Sequence, residues 1–238
     1  MLCKIADLYA EIPEAGGMTS RLGEYAVKEI KKDDFIPDIT VREERYVRER
    51  WPGVSDKDFT YMESGGLFYV QLVKLGGMML HSSAVELDGK AYLFSGPSGM
   101  GKSTHTRLWK ENFPNARIFN DDKPALREID GVWYAYGTPW CGKDGININM
   151  KAPISAICFL RRGNRNEIRR LSKIEAATAI LSQTITNFSK PEHLQVLLAV
   201  IDRLIDKIPV YELMNRPEPE AAMLSYKTMS AEVMKNED

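Results

Sequence analysis

Gly96-Pro97-Ser98-Gly99-Met100-Gly101-Lys102-Ser103 is the stretch on which the reading of this 238-residue chain turns. It fills the pattern G-x-x-x-x-G-K-S without a gap. A strand-like run, Lys90 to Ser95, comes before it. Thr104 to Lys110 follows as a short helix that must stop before Pro114. Strand, glycine-rich loop and helix make a P-loop. The glycines let backbone N–H groups turn inward onto phosphate oxygens, Lys102 reaches the β- and γ-phosphates, and the Ser103 hydroxyl ligates Mg²⁺. The helix beginning near Ser103 adds its positive dipole end. Gly96, Pro97, Ser98, Gly99, Met100, Gly101, Lys102, Ser103 and Thr104 are therefore the candidate nucleotide contacts.

Upstream, Met78 to Leu87 is a second strand-like run, joined to Lys90 by Asp88-Gly89, a strong two-residue hairpin signal. That turn pairs Leu87 with Lys90, Val85 with Tyr92 and Ser83 with Phe94. Continued inward, the register sets His81 opposite Gly96, beside the phosphate site. There an imidazole could orient a carboxylate or sense the γ-phosphate. Downstream, Ala116 to Phe119 reads as a strand ending in Asn120-Asp121-Asp122. Carboxylates at a strand end are where P-loop proteins hold Mg²⁺, and the second could draw a proton from an acceptor hydroxyl. The same three residues also suit a plain turn.

Farther out, Gly65-Gly66 and Gly76-Gly77 bracket a short helix, Leu67 to Leu75, and the second pair marks a boundary. Residues 1–76 then form a small α+β segment packed on the core, and 77–238 the P-loop domain. A second hairpin is expected at Asp130-Gly131, and Ile154 to Leu160 reads as a buried strand. The last third is helical: one apolar face is Ile174, Ala177 and Leu181, and a longer one runs from Leu194 to Ile208. Ser189 with Glu192 suits a capping box for the longer helix. Pro209 ends it, Val210 to Met214 adds a strand, and Pro219 to Tyr226 a last helix. His105 and His193 read as surface or partly buried positions. The charged runs Lys28 to Asp34 and Arg42 to Arg50 read as solvated faces.

Bulk properties narrow the class. With 32 basic against 33 acidic side chains and 44% hydrophobic residues, the chain has a core but no electrostatic case for nucleic acid or an anionic membrane. Cys3, Cys141 and Cys158 form no CxxC pair, as in a reduced, cytoplasmic protein. No apolar run is long enough for a transmembrane helix, and the N-terminus lacks a signal-peptide pattern.

A His before a β-hairpin, a GxSGxGKS loop, and an Asp-Asp pair some twenty residues after the Lys together resemble the catalytic domain of HPr kinase/phosphorylase. His81 to Val85, Ser95 to Thr104 and Gly137-Thr138-Pro139-Trp140-Cys141-Gly142-Lys143 look more closely like bacterial HPr-kinase-related proteins. These belong to the phosphoenolpyruvate-carboxykinase-like P-loop fold. The resemblance covers residues 78–160 and implies an α/β (α+β) fold, with a mixed-sheet P-loop core and a helical C-terminal part. It implies ATP and Mg²⁺ as cofactors, Asp122 as general base toward a serine hydroxyl, Asp121 with Ser103 at the metal, and His81 aligning Asp122. Where the family carries a metal-binding Glu beside an Arg-Gly-Leu-Gly segment, this chain reads Pro139 to Gly145. Against the family pattern, Asp144 substitutes at the metal or Asp121 suffices, and Lys143 is either the transition-state cation in place of the Arg or a solvated loop lysine. Cys141 reads as a packing thiol. Arg161 and Arg162 are either a polar strand end or a phosphate contact.

The expected function is an ATP- and Mg²⁺-dependent kinase whose partner is a protein serine or a small hydroxyl compound. Nucleic acid and membrane are not expected as partners, and a homo-oligomer is compatible with the sequence. The rival readings are a nucleotide-binding regulatory module with little chemistry and, on fold analogy alone, a carboxykinase-like decarboxylating enzyme.

Overall fold

In a computed structural model, residues 1–14, 18–28, 35–42, 49, 51–185 and 190–234 are described. The charged stretches 29–34, 43–48 and 50 lie outside them. So does Ser189, and with it the expected capping box. The architecture is mixed α/β with the helical C-terminal part expected.

The N-terminal segment folds as strands β1 (Leu2–Ile5), β2 (Leu8–Glu11) and β3 (Ile39–Thr40), with a short helix α1 (Met18–Leu22). Its apolar side chains, among them Ile5, Ile12, Leu22 and Tyr25, do not close a core of their own. They pack against Phe68, Tyr69 and Leu72 of helix α2 (Asp56–Lys74) and against Met79, Tyr136 and Trp140.

Helix α2 corrects one expectation. Gly65-Gly66 does not stop it; the helix runs through both residues. Trp140 explains why a glycine is used there. A Cβ on Gly65 would stand 2.9 Å from Trp140 Cδ1, whereas one on Gly66 would meet nothing within 4 Å. The indole is fixed, since Trp140 Nε1 donates to Ser64 Oγ at 3.1 Å and its ring lies 4.7 Å from that of Phe68. Alanine in a helix gains about 1 kcal/mol over glycine, and overpacking a filled core costs about 1–3 kcal/mol. Gly66→Ala is therefore expected to raise stability by up to about 1 kcal/mol and Gly65→Ala to lower it by about 1–2 kcal/mol. Urea unfolding reads both, and equal effects at the two positions would refute the packing account.

The main sheet holds β4 (Gly77–Met79), β8 (Ala125–Ile129), β9 (Val132–Tyr136), β10 (Lys151–Arg162), β6 (Lys90–Ser95), β5 (Ser82–Leu87) and β7 (Arg117–Asn120) in that order. β12 (Val210–Asn215) also pairs with β10, and β11 (Glu167–Arg170) pairs with β12. The run Met78 to Leu87 is thus two strands rather than one: β4 joins β8, while β5 lies between β6 and β7. The Asp88-Gly89 hairpin has the register expected, Leu87 with Lys90 through Ser83 with Phe94, and ends at Ser82 with Ser95. Both central residues of that turn have positive φ, the backbone a two-residue hairpin needs. Asp130-Gly131 makes the second hairpin.

Strand β10 is longer than its apolar centre. Lys151–Pro153 pair antiparallel with β9, and from Ile154 the strand runs parallel to β6, reaching Phe159 beside Ser95. Alternate residues of β6 fill different cores. Ala91 and Leu93 join a cluster with Leu197, Ile201 and Leu204 of helix α5 (Pro191–Lys207). Tyr92 and Phe94 join Trp109 of helix α3 (Lys102–Asn112) and Met229 of helix α6 (Pro219–Met234). A strand covered on both faces reads as a continuous apolar run.

Helix α4 (Lys173–Ser182) buries Ala176 and Ile180, and Ile174 is 82% exposed, so the expected face is rotated. A capping box of Ser172 with Glu175 starts this helix. α5 starts instead on Pro191 at its first position, with Lys190 as N-cap.

Both remaining histidines correct the surface reading. His105 is fully buried, with Nε2 3.1 Å from Ser225 Oγ, and burial lowers its pKa to about 4. His193 is 6% exposed and its Nε2 lies 3.3 Å from the Val70 carbonyl oxygen.

Candidate active site

The loop between β6 and α3 carries positive φ at Gly96, Gly99 and Gly101. Gly101 is the N-cap of α3 at φ 96, a left-handed backbone at the point where the first helical N–H groups face outward. Lys102 opens the helix and is 8% exposed. Its Nζ donates back to the carbonyls of Gly96 at 2.7 Å and Pro97 at 3.3 Å. Burial lowers its pKa, and the nearby Asp122 charge works against that shift. Ser103 is exposed at the mouth of the loop, as are Pro97, Ser98 and Gly99. Arg162, from the end of β10, donates Nη2 to the Gly99 carbonyl at 2.7 Å, so it touches the loop. Arg161 instead pairs with Glu212 at 2.9 Å.

Asp121 and Asp122 follow β7, and Asn120 shapes the turn. Its Oδ1 accepts from the N–H groups of Asp122 and Lys123, an Asx turn, while its Nδ2 donates to the Thr138 carbonyl. The turn chemistry and the carboxylate display therefore coexist. Asp121 is 8% exposed and accepts from the Gly142 N–H. Burial raises its pKa, with the Gly142 bond working against the shift. Gly142 has to be small here, because a Cβ would stand 2.9 Å from Asp121 Oδ2.

Asp122 is the hub. His81 Nε2 lies 3.0 Å from its Oδ1, and Lys123 Nζ pairs with its Oδ2. His81 is placed by backbone bonds: its N–H donates to the Gln183 carbonyl at 2.7 Å, and its carbonyl accepts from Ser95 Oγ at 2.9 Å. It therefore stands one residue beyond the last hairpin pair, not in a ladder pair with Gly96. Burial pushes the Asp122 carboxyl up, but the His81 bond and the Lys123 charge outweigh it and hold the pKa down at about 2.

A folded-state pKa below the ordinary 3.8 contributes stability that is present above about pH 4 and lost as pH falls through about 2. Asp122→Asn is thus expected to cost on the order of 1–2 kcal/mol at neutral pH, allowing for solvent around a half-buried group. The difference from wild type should shrink between pH 4 and pH 2 in urea unfolding. A pH-independent difference would disprove the linkage.

Lys123 was missed in the sequence, although it sits directly after the Asp pair. Its Nζ also reaches Tyr61 OH at 3.2 Å, and Tyr61 OH donates to the Cys141 carbonyl at 2.8 Å. Arg21 stacks on the Tyr61 ring, its guanidinium carbon 4.8 Å from the centroid, and donates Nη1 to Cys141 O and Sγ. No local motif announces Arg21 or Tyr61; only the fold brings them here. Cys141 is buried, and burial raises its pKa, as suits a packing thiol. Lys143 and Asp144 are exposed.

Two hollows flank the hub. One, about 260 Å³, is lined by Arg21, Lys57, Asp58, Tyr61, Asp122, Cys141, Gly142 and Lys143. The other, about 450 Å³, is lined by residues that include His81, Pro97, Ser98, Lys123 and Thr184.

The donors fit Mg²⁺ and a nucleotide. Ser103 Oγ and a buried Asp121 carboxylate are hard oxygens, and Mg²⁺ takes few protein ligands beside phosphates and water. Among the described residues no cluster of three or more His, Cys, Asp or Glu forms a dedicated metal cage. No described helix is long and apolar enough to cross a membrane.

The family model described as SynChlorMet cassette protein ScmC matches residues 56–216, from α2 through β12. No curated protein matches the chain. Among solved structures, the chain is similar to the Hpr(Ser) kinase/phosphatase from Coxiella burnetii. The two share 12% identity and a TM-score of 0.39, over 67% of this chain and 92% of that one.

Proposed function

The chain belongs to the SynChlorMet cassette protein ScmC family, and we propose that it is an ATP- and Mg²⁺-dependent kinase that transfers phosphate to a serine-type hydroxyl. The observation that carries this reading is the 3.0 Å contact between His81 Nε2 and Asp122 Oδ1, held at the foot of the hairpin that feeds the P-loop. A loop that only binds phosphate has no use for an oriented carboxylate beside it. A loop that transfers phosphate does.

When bound, ATP supplies the phosphoryl group and Mg²⁺ screens its charge. Lys102, now on the Gly96 and Pro97 carbonyls, would turn to phosphate oxygens, which the loop N–H groups would orient. Ser103 and Asp121 would hold the metal. Asp122 orients the acceptor hydroxyl and takes its proton, with His81 fixing the carboxylate and Lys123 bearing on its other oxygen. A carboxylate held near pKa 2 is a weak base. A loose phosphoryl-transfer transition state asks more for alignment than for base strength.

The test is incubation with γ-labelled ATP and an extract of the source cells split into protein and small-molecule fractions. Label is expected on an organic acceptor in one of them. Phosphate released only to water would overturn the kinase reading. The Lys123 pairing favours one alternative, a nucleotide-binding regulatory module, because it occupies the oxygen a base would use. That alternative requires nucleotide affinity dependent on Lys102 and no turnover.

A further inference from the structure

The 260 Å³ hollow beside Asp122 has a composition that the phosphate chemistry does not use. Lys57 stands in the first turn of the long helix α2 and Lys143 on the loop after Trp140. Both are exposed, and neither has a hydrogen-bond or ion-pair partner among the described residues. Arg21 is held in place by stacking on Tyr61, and both hydrogen bonds of its guanidinium among the described residues leave from Nη1. Against these three cations the lining holds two carboxylates. Asp58 accepts from Ser55 Oγ at 2.7 Å, and Asp122 is tied to His81 and Lys123. Three positive and two negative side chains line the hollow, and one of the two carboxylates, Asp122, is already paired with Lys123. Its volume lies just below the ~300–1,000 Å³ range of drug-sized ligand sites.

We propose that this hollow is the acceptor site, and that it takes a small hydroxy acid: a compound carrying one carboxylate a few bonds from the hydroxyl to be phosphorylated. The assignment rests on the kinase reading above and names its substrate class. Arg21 presents a planar fork that matches a carboxylate, and Lys57 and Lys143 act as point charges around it. Asp122, in the same wall, meets the hydroxyl end. In the transfer, the acceptor oxygen forms a bond to the γ-phosphorus as the bond to the bridging oxygen of ADP breaks. The hydroxyl proton goes to Asp122, and ADP leaves with the electron pair.

The experiment uses the full chain, γ-labelled ATP and Mg²⁺, with the low-mass fraction of source-cell extract given in two forms. One is untreated. In the other, carboxylates have been capped as methylamides with carbodiimide and methylamine. Label is expected on an organic product with the untreated fraction and at least about tenfold less with the capped one. Adding untreated to capped fraction should restore it, which excludes an inhibitor made by the capping. Transfer that survives capping, or that appears only on protein, overturns the hydroxy-acid assignment and leaves the kinase standing. Label on no organic acceptor in any fraction withdraws the kinase reading as well.

A second measurement does not depend on chemical capping. The Lys57→Gln, Lys143→Gln double variant is expected to raise the KM for the acceptor by about tenfold, with the gap narrowing in high salt. The Lys57→Arg, Lys143→Arg pair is expected to restore it. An unchanged acceptor KM in the glutamine variant would also overturn the assignment.

Discussion

Lys102→Ala is expected to weaken Mg²⁺–ATP binding by at least about 100-fold, or roughly 2.7 kcal/mol. The cation it removes is 8% exposed and already desolvated. Each charge-assisted hydrogen bond from it to a phosphate oxygen is then worth about 1.5–3 kcal/mol. The same substitution leaves the Gly96 and Pro97 carbonyls without the donor they have now, so a folding control is needed. Lys102→Met keeps the aliphatic stem and isolates the charge. Titration with a fluorescent ATP analogue, beside thermal unfolding of each variant, separates the two effects. Binding within about threefold of wild type in the methionine variant would remove Lys102 from the phosphate site.

The second large effect belongs to Asp122. Asp122→Asn is expected to lower phosphoryl transfer by about 10²–10⁴-fold, the usual contribution of a positioned acid or base, with ATP binding largely retained. His81→Asn should cost less, because it removes only the group that orients the carboxylate. The double variant should be no slower than Asp122→Asn alone, since the two side chains act through one 3.0 Å contact. Losses that multiply would mean that His81 acts separately, for example on the phosphate. Full activity in Asp122→Asn would end the base assignment and favour the regulatory module.

What could be read from the sequence was the glycine-loop side of this site. The strand, glycine-rich loop and helix lie in one unbroken stretch, and the Asp88-Gly89 turn set a register that carried His81 to within one residue of its actual place. Turn residues and period-2 alternation are local signals, and they survive folding when both partners lie close in the chain.

The side formed by Arg21, Tyr61 and Cys141 was not readable. Arg21 meets Cys141 across 120 residues, and Tyr61 meets Lys123 across 62. No periodicity encodes such meetings. The glycine pair in α2 misled for a related reason. Gly65 answers to a tryptophan far along the chain, and without Trp140 in view a glycine pair looks like a stop. His105 and His193 also looked polar in sequence, yet their helices turn them inward onto a serine and a backbone carbonyl.

Strand β10 has a mechanical consequence. It runs unbroken from its pairing with β9 to its pairings with β6 and β12, and its far end touches the P-loop through Arg162. A strand shared by both parts of the sheet acts as a spine, with a register shift between Ile154 and Ala156 where its partner changes. The phosphate loop and the Asp121-Asp122 turn are joined through neighbouring strands, β6, β5 and β7, so the sheet itself holds one beside the other. Gating falls to the parts that hang from the spine, such as the Cys141–Gly145 loop and the side chains of Lys102 and Lys143. The chain would work like a vice, with the sheet as its frame and the jaws at its rim.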